Sequence, residues 1–125
     1  MISMKTILFI EDESALQKTI GEVLGQEGYE MTSALDGEIG LKLAKEQKPD
    51  LILLDLILPK INGFDVLKQL KADKEIKEIP VIVLTNLEGI EDVDRVLSLG
   101  ATTYLVKTQY EIEEVLGKIK KALNE

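Results

Sequence analysis

Apolar residues along the chain alternate between short continuous runs and helical stripes, and this alternation repeats five times. Continuous Leu, Ile and Val runs are typical of strands buried on both faces, whereas apolar residues three or four apart predict amphipathic helices. The predicted strands are 6–10, 29–34, 51–58, 80–84 and 102–106, and the predicted helices are 14–27, 37–48, 63–73, 88–98 and 112–123. Alternating strands and helices with short connections predict an α/β fold: a doubly wound, five-stranded parallel sheet in the order 2-1-3-4-5.

The longest apolar run, Leu51–Pro59, contains a single carboxylate, Asp55. An isolated ionised carboxylate inside a buried strand is strongly disfavoured. Asp55 therefore either marks the carboxyl end of the strand or has a cation beside it. Ligands of open α/β sheets bind at the carboxyl ends of strands, which makes Asp55 a candidate site residue. The alternative is an aspartate that only caps the following turn.

The residues at the ends of the other strands help to decide between these alternatives. Strand one is followed by Glu11 and Asp12, strand four ends at Thr85 and strand five at Lys107, whereas strand two ends without a charged residue. In the predicted order, strands one, three, four and five are contiguous, so we expect these side chains to converge with Asp55 on one crevice. Each also has an ordinary interpretation, because acidic residues suit a helix N-terminus and a strand-end lysine is usually solvated.

Composition narrows the chemistry that this crevice could support. The 125 residues predict one domain, 1–125, and the net charge of -8 disfavours direct binding to nucleic acid or to an anionic membrane. The absence of Cys and His excludes thiol nucleophiles, zinc–thiolate sites and the commonest general base. No signal peptide or membrane-spanning run is predicted, so we expect a cytoplasmic location.

Carboxylates, hydroxyls and lysine are the groups left for chemistry. Three clustered carboxylates raise one another's pKa unless a cation is present, and hard oxygen ligands favour Mg²⁺, Mn²⁺ or Ca²⁺. A metal ion, Lys107 and the Thr85 hydroxyl around one carboxylate would form a cradle for a phosphoryl group. Asp55 would then be the nucleophile, forming an aspartyl phosphate.

In these features the chain resembles the bacterial response-regulator receiver domains, in particular the chemotaxis-type single-domain regulators, which have a (βα)5 flavodoxin-like fold. The resemblance covers residues 5–123. It is carried by Phe9–Glu13, Leu54–Leu56, Leu58–Pro59, Gly63, Leu84–Thr85 and Tyr104–Lys107.

The resemblance implies a phosphoacceptor in a two-component phosphorelay. Asp55 would accept phosphate from a histidine kinase, a histidine phosphotransfer protein or a small acyl phosphate. Mg²⁺ would be held by Glu11, Asp12, Asp55 and the backbone carbonyl of Ile57. The chain would be a signalling switch that catalyses its own phosphorylation and slow dephosphorylation, rather than an enzyme acting on a separate substrate.

The resemblance also implies how the switch works. Thr85 and Lys107 would bind the phosphoryl oxygens, and Tyr104 would move inward when Thr85 shifts toward the phosphate. That change would alter the face made by helix four, strand five and helix five, where an unknown downstream protein would bind. On spacing alone, a tyrosine at the position of Tyr104 is more often a packing residue than a switch.

Three positions depart from the family pattern. Thr108 follows Lys107 where the family usually has proline after a cis bond, which leaves the geometry of this loop open. Asn86 stands where a small residue is usual and could narrow access to the phosphate. Ile57 is apolar and cannot orient an attacking water, so slow self-dephosphorylation is expected.

Two other function classes remain. A pseudo-receiver would bind proteins without being phosphorylated, although the intact set of Asp12, Asp55, Thr85 and Lys107 argues against it. A hydrolase of the phosphatase type would need a second carboxylate two residues after Asp55, where Ile57 stands.

Overall fold

Five parallel strands form one sheet in the order β2-β1-β3-β4-β5, in a computed structural model that describes residues 4–87 and 89–125. The strands are β1 (Thr6–Ile10), β2 (Glu30–Ala34), β3 (Leu51–Leu54), β4 (Val81–Thr85) and β5 (Thr103–Val106). The α-helices are α1 (Ser14–Gln26), α2 (Gly37–Gln47), α3 (Gly63–Ala72), α4 (Ile90–Ser98) and α5 (Ile112–Ala122). The predicted fold class and strand order are confirmed, with β2 and β5 as the edge strands.

Side chains that alternate along the central strands divide the core into two apolar layers. Leu8 and Ile52 belong to the layer that contains Leu67 of α3. Phe9 and Leu53 belong to the opposite layer, which contains Ile119 of α5. Helices therefore cover both faces of the sheet, and β3 and β4 are buried along their whole length.

β3 is shorter than the apolar run that predicted it. The strand ends at Leu54, and the chain bends after Asp55, so that Leu56 is buried whereas Ile57 is 57% exposed. The second half of the run is therefore a loop. Because β3 stops one residue before Asp55, the carboxylate stands at the carboxyl end of the strand. This is one of the two arrangements that the cost of burying an isolated charge had left open for Asp55.

Two large apolar side chains of the helices are exposed to solvent. Ile39 of α2 and Leu97 of α4 are each 44% exposed, whereas Leu41 is 6% exposed and lies in the core. A Cβ at Gly40 would lie 2.6 Å from the Ile10 side chain, so α2 packs on β1 through this glycine. That close contact sets which face of α2 is buried, and Leu41 shares the face while Ile39 does not.

Two residues pack onto the domain where α3 leads into β4, Lys71 in the last turn of the helix and Ile76 in the connection. Ile76 is 2% exposed, and Lys71 donates hydrogen bonds from Nζ to the carbonyls of Lys77 at 3.0 Å and Ile79 at 2.9 Å. Burial lowers the pKa of Lys71, an effect that Glu78 opposes. The lysine stem and Ile76 therefore fold back onto the domain, while most of the connection is exposed to solvent.

The predicted start of the fourth helix at Glu88 lies outside the described residues. Across residues 4–87 and 89–125, no helix combines the length and the apolarity needed to cross a membrane.

Candidate functional site

Adjacent strand ends place Glu11 and Asp55 side by side. Ile10 pairs with Leu54 as the last residue of β1 in the ladder, and the Asp55 N–H extends the pairing by donating to the Ile10 carbonyl at 3.0 Å. The Glu11 N–H likewise donates to the Ala34 carbonyl of β2 at 2.9 Å. Both carboxylates therefore extend from backbone that the sheet holds rigidly.

Three carboxylates gather at this edge of the sheet. Glu11 is fully buried and Asp55 is 4% exposed, whereas Asp12 is exposed to solvent. One oxygen from each lies within 4.8 Å of the others, so the three could hold a metal ion together. Oxygen-only donors with an open side toward solvent fit a hard divalent cation that keeps several water ligands.

Lys107 brings the compensating positive charge from the end of β5. Its Nζ lies 3.0 Å from Asp55 Oδ2 and forms a second ion pair with Glu11 Oε1. Burial alone would lower the pKa of Lys107, but the Glu11 and Asp55 carboxylates together raise it. The ammonium group therefore stays charged, and one cation faces three potential anions.

The ionised form of the Glu11 carboxyl group is disfavoured in this arrangement. Burial raises the pKa of Glu11 to about 7, and the Asp55 charge adds to the shift. Lys107 and the Glu13 N–H, which donates to Glu11 Oε2 at 3.0 Å, oppose it. The net negative charge of the site therefore changes near neutral pH, where an added divalent cation would favour the ionised form.

Thr85 supplies a hydroxyl at the end of β4. The residue is fully buried, and within the described part of the chain its Oγ1 has no hydrogen-bond partner. Thr85 pairs with Val106 in the sheet register, and Val106 directly precedes Lys107. Because a buried unsatisfied hydroxyl is unfavourable, this group is available to a ligand placed between the strand ends.

Ile57 and Tyr104 stand nearby in different environments. The Ile57 N–H donates to Asp55 Oδ1 at 3.3 Å, while its side chain points out to solvent. The partly buried Tyr104 donates its hydroxyl to the Leu87 carbonyl in the β4–α4 connection. The aromatic residue thus contacts the segment after Thr85, as well as packing against the core.

The loop after Lys107 has ordinary peptide geometry. No cis peptide bond occurs among the residues that the structure describes, and Lys107–Gln109 forms a single 3₁₀ turn. The bond before Thr108, left open by the sequence, is therefore trans. Asn86 is exposed, directly after Thr85.

Sequence reasoning did not identify Gln17. This α1 residue is 5% exposed, and its Nε2 donates to three backbone carbonyls, including that of Glu11. A signal was present, because Gln17 occupies the position three before Ile20 and seven before Leu24, on the buried stripe of the helix. A lone amide on such a stripe needs polar partners inside the protein.

Comparison with known proteins agrees with this arrangement. The family model described as "Response regulator receiver domain" matches residues 7–120. The chain is 39% identical over 120 residues to the DNA-binding dual master transcriptional regulator RpaA of Synechocystis sp., covering 96% of this chain and 49% of that protein. The chain thus spans about half the length of that regulator.

Two solved structures whose sequences are 27% and 28% identical to this chain have the same fold. A CheY-like response regulator receiver domain protein from Methanospirillum hungatei has a TM-score of 0.90 and 28% identity, over 98% of this chain and 95% of that one. The receiver domain of the sensor histidine kinase PA1611 from Pseudomonas aeruginosa, with a magnesium ion coordinated in its active-site cleft, has a TM-score of 0.88 and 27% identity, over 98% of this chain and 100% of that one. With its acidic site at the carboxyl ends of the strands, the chain belongs to the response regulator receiver domain family, the phosphoacceptor domains of two-component signalling.

Proposed function

We propose that this chain is a Mg²⁺-dependent switch in which Asp55 accepts a phosphoryl group. The observation that carries the proposal is the 3.0 Å contact between Asp55 Oδ2 and Lys107 Nζ, in a cluster with the carboxylates of Glu11 and Asp12. A nucleophilic carboxylate, a fixed cation and a set of metal ligands are the parts that phosphoryl transfer requires.

Asp55 performs the covalent step. One carboxylate oxygen attacks the phosphorus atom of a phosphohistidine, the P–N bond breaks, and the imidazole leaves with the bonding electrons and takes up a proton. The burial of Asp55 and its contact with Lys107 keep the attacking oxygen in one place and exclude much of the surrounding water.

Mg²⁺ would be held by Glu11, Asp12, Asp55 and the backbone carbonyl of Ile57. When bound, it supplies positive charge to the phosphoryl oxygens and offsets the repulsion among the carboxylates. The all-oxygen donor set supports this choice of ion, and so does the magnesium ion in the related receiver domain of PA1611.

Lys107 and Thr85 bind the transferred group. Lys107 Nζ exchanges part of its contact with the carboxylates for a phosphoryl oxygen, and Thr85 donates its unpartnered hydroxyl to another. The shift of Thr85 loosens the bond from the Tyr104 hydroxyl to the Leu87 carbonyl, and Tyr104 turns inward. The surface formed by α4, β5 and α5 changes with it and binds a downstream protein.

The phosphoryl donor is a histidine kinase or a histidine phosphotransfer protein, since the chain itself contains no His. The chemotaxis-type single-domain subtype stays a prediction, because RpaA, about half of which this chain matches, is named as a DNA-binding transcriptional regulator. The domain extent 1–125, the cytoplasmic location and the absence of direct contact with nucleic acid or membrane likewise stay predictions. The pseudo-receiver alternative is not favoured, because no group of the phosphoacceptor site is missing.

The test is intact mass spectrometry after incubation with acetyl phosphate and Mg²⁺. Wild type should gain one phosphoryl group, and Asp55→Asn should gain none because it lacks the nucleophile. EDTA should abolish the gain by removing the metal. Asp94→Asn, a matched change at an exposed position of α4, should be phosphorylated like wild type.

The opposite outcome is equally clear. A wild-type protein that is folded and gains no mass would support a binding module that works without phosphorylation. A gain of mass by Asp55→Asn equal to that of wild type would assign the acceptor to another residue.

A further inference from the structure

We propose that Gln17 is a positioning residue for the metal site, which it serves by fixing the peptide between Glu11 and Asp12. This inference rests on the proposed function and assigns part of it to a buried amide of α1. Gln17 acts through the backbone of the loop that carries the two acidic residues, and it contacts neither Asp55 nor Lys107 in the hydrogen bonds of the described chain.

The Gln17 amide contacts three backbone carbonyls at the ends of β1 and β2. Its Nε2 donates to the carbonyl of Phe9 at 2.8 Å, of Glu11 at 3.1 Å and of Ala34 at 3.2 Å. These carbonyls belong to β1, to the residue directly after β1, and to the end of β2. One side chain from α1 therefore ties the helix to both strand ends at the site.

The amide can take only one orientation. Turning it over would direct Oε1 at three carbonyl oxygens, which cannot donate hydrogen bonds. In the observed orientation Oε1 is buried and, among the residues that the structure describes, has no partner. An unsatisfied buried acceptor is unfavourable. An apolar residue at this position of the stripe would avoid that cost, so packing alone does not explain why an amide stands here.

The bond to the Glu11 carbonyl matters because Asp12 is the next residue along the chain. The Glu11 N–H is held by the Ala34 carbonyl at 2.9 Å, and its carbonyl is held by Gln17, so both ends of this residue are fixed. Asp12 is exposed, and its carboxylate has no hydrogen bond or ion pair within the described part of the chain. The direction of the Asp12 side chain therefore depends on the peptide plane that Gln17 holds.

Replacing the amide should weaken metal binding without impairing the phosphoryl chemistry itself. Gln17→Met keeps the length of the side chain and removes the donor. We expect the dissociation constant for Mn²⁺, followed by the paramagnetic resonance of the free ion, to rise about tenfold, because Asp12 must then be ordered at the moment of binding. The phosphorylation rate at saturating Mg²⁺ should stay within about twofold of wild type, because Asp55, Lys107 and Thr85 are not touched.

Two further variants sharpen the experiment. Gln17→Glu has the same shape but directs carboxylate oxygens at the three carbonyls, so its affinity for Mn²⁺ should fall at least as far as that of Gln17→Met. Gln69→Met, at an exposed position of α3, should bind Mn²⁺ like wild type.

A measurement on the wild-type protein covers the case in which the variants do not fold. The side-chain NH₂ resonances of Gln17 in ¹⁵N-labelled protein should shift during a Mg²⁺ titration. The Mg²⁺ concentration at the midpoint of that shift should equal the one measured from the backbone amide resonances of Glu11 and Asp12. Unchanged Gln17 resonances, or a folded Gln17→Met protein with wild-type affinity for Mn²⁺, would overturn the inference. Because metal binding is read without phosphate, failure here is distinct from a failure of Asp55 to accept a phosphoryl group.

Discussion

At the scale of single residues, Ile57 lies two positions after Asp55, the residue that we propose as the phosphoacceptor. Ile57 is tied to Asp55 through its backbone, and its side chain extends into solvent beside the site. A branched apolar side chain offers no hydrogen bond to a water molecule that approaches the phosphorus atom. Hydrolysis of the proposed aspartyl phosphate would then proceed without help from this position.

We expect the phosphorylated form of the wild-type protein to be long-lived and that of Ile57→Asn to decay about tenfold faster, because an amide can orient the attacking water. The decay would be followed by intact mass after removal of acetyl phosphate. Ile39→Asn, another exposed isoleucine made polar, should leave the lifetime unchanged. A wild-type lifetime of seconds would contradict the prediction.

At the scale of secondary-structure elements, the first turn of α3 lies directly against the backbone of Asp55 and Leu56. The Gly63 N–H donates to the Leu56 carbonyl at 2.9 Å, and a Cβ at Gly63 would come within 2.4 Å of both the Asp55 carbonyl oxygen and Leu56 Cα. Asn62 caps this helix, accepting from the Asp65 N–H at 3.0 Å. The helix therefore cannot shift without moving the loop after Asp55.

This contact predicts that Gly63→Ala lowers the free energy of unfolding by about 1–3 kcal/mol, the usual cost of overpacking a close contact. It should also slow phosphorylation, because the backbone of Asp55 must move to admit the methyl group. Gly117→Ala is the control: a Cβ there has nothing within 4 Å, so α5 should gain up to about 1 kcal/mol from the better helix former. Urea unfolding measures the stability of the two variants, and intact mass measured over time after addition of acetyl phosphate gives their phosphorylation rates. Equal changes in stability for Gly63→Ala and Gly117→Ala would contradict the argument.

At the scale of the whole molecule, the buried carboxyl group of Glu11 makes the free energy of unfolding depend on pH. The chain has a net charge of -8, and at the site one lysine faces three carboxylates, two of them buried. Burial raises the pKa of Glu11 from 4.5 to about 7, so the folded state holds its proton to a higher pH than the unfolded chain does. The contribution of Glu11 to stability is therefore largest below its unfolded pKa and is lost as the pH rises toward 7.

We predict that metal-free wild type becomes less stable relative to Glu11→Gln as the pH rises from 5 to 7.5, because the glutamine cannot ionise. At pH 7.5, Mg²⁺ at ten times the wild-type dissociation constant should stabilise wild type by about 1.4 kcal/mol. The same Mg²⁺ concentration should stabilise Glu11→Gln by less, because that variant lacks one carboxylate ligand. Urea unfolding at each pH, with and without Mg²⁺, measures the differences. A gap between the two proteins that does not change with pH would show that Glu11 ionises at the same pH in both states.

Much of the fold and part of the site can be predicted from the order of residues alone. Continuous apolar runs and apolar residues three or four apart reflect local backbone geometry, so the strands and helices were predictable. Connection rules then left one natural strand order. Acidic residues and a lysine at strand ends then had to meet at one edge of the sheet. Glu11, Asp12, Asp55 and Lys107 were foreseeable for that reason.

Tertiary structure decided the features that depend on partners distant in the chain. The end of β3 at Leu54, the burial of Leu41 rather than Ile39, and the three carbonyls that hold the Gln17 amide are set by how helices pack on the sheet. Lys107 contacts the carboxylate of Asp55, which lies 52 residues earlier in the sequence. Such contacts have no local period, because their free energy comes from the packed interior, where each polar group must find whichever partner the fold brings to it.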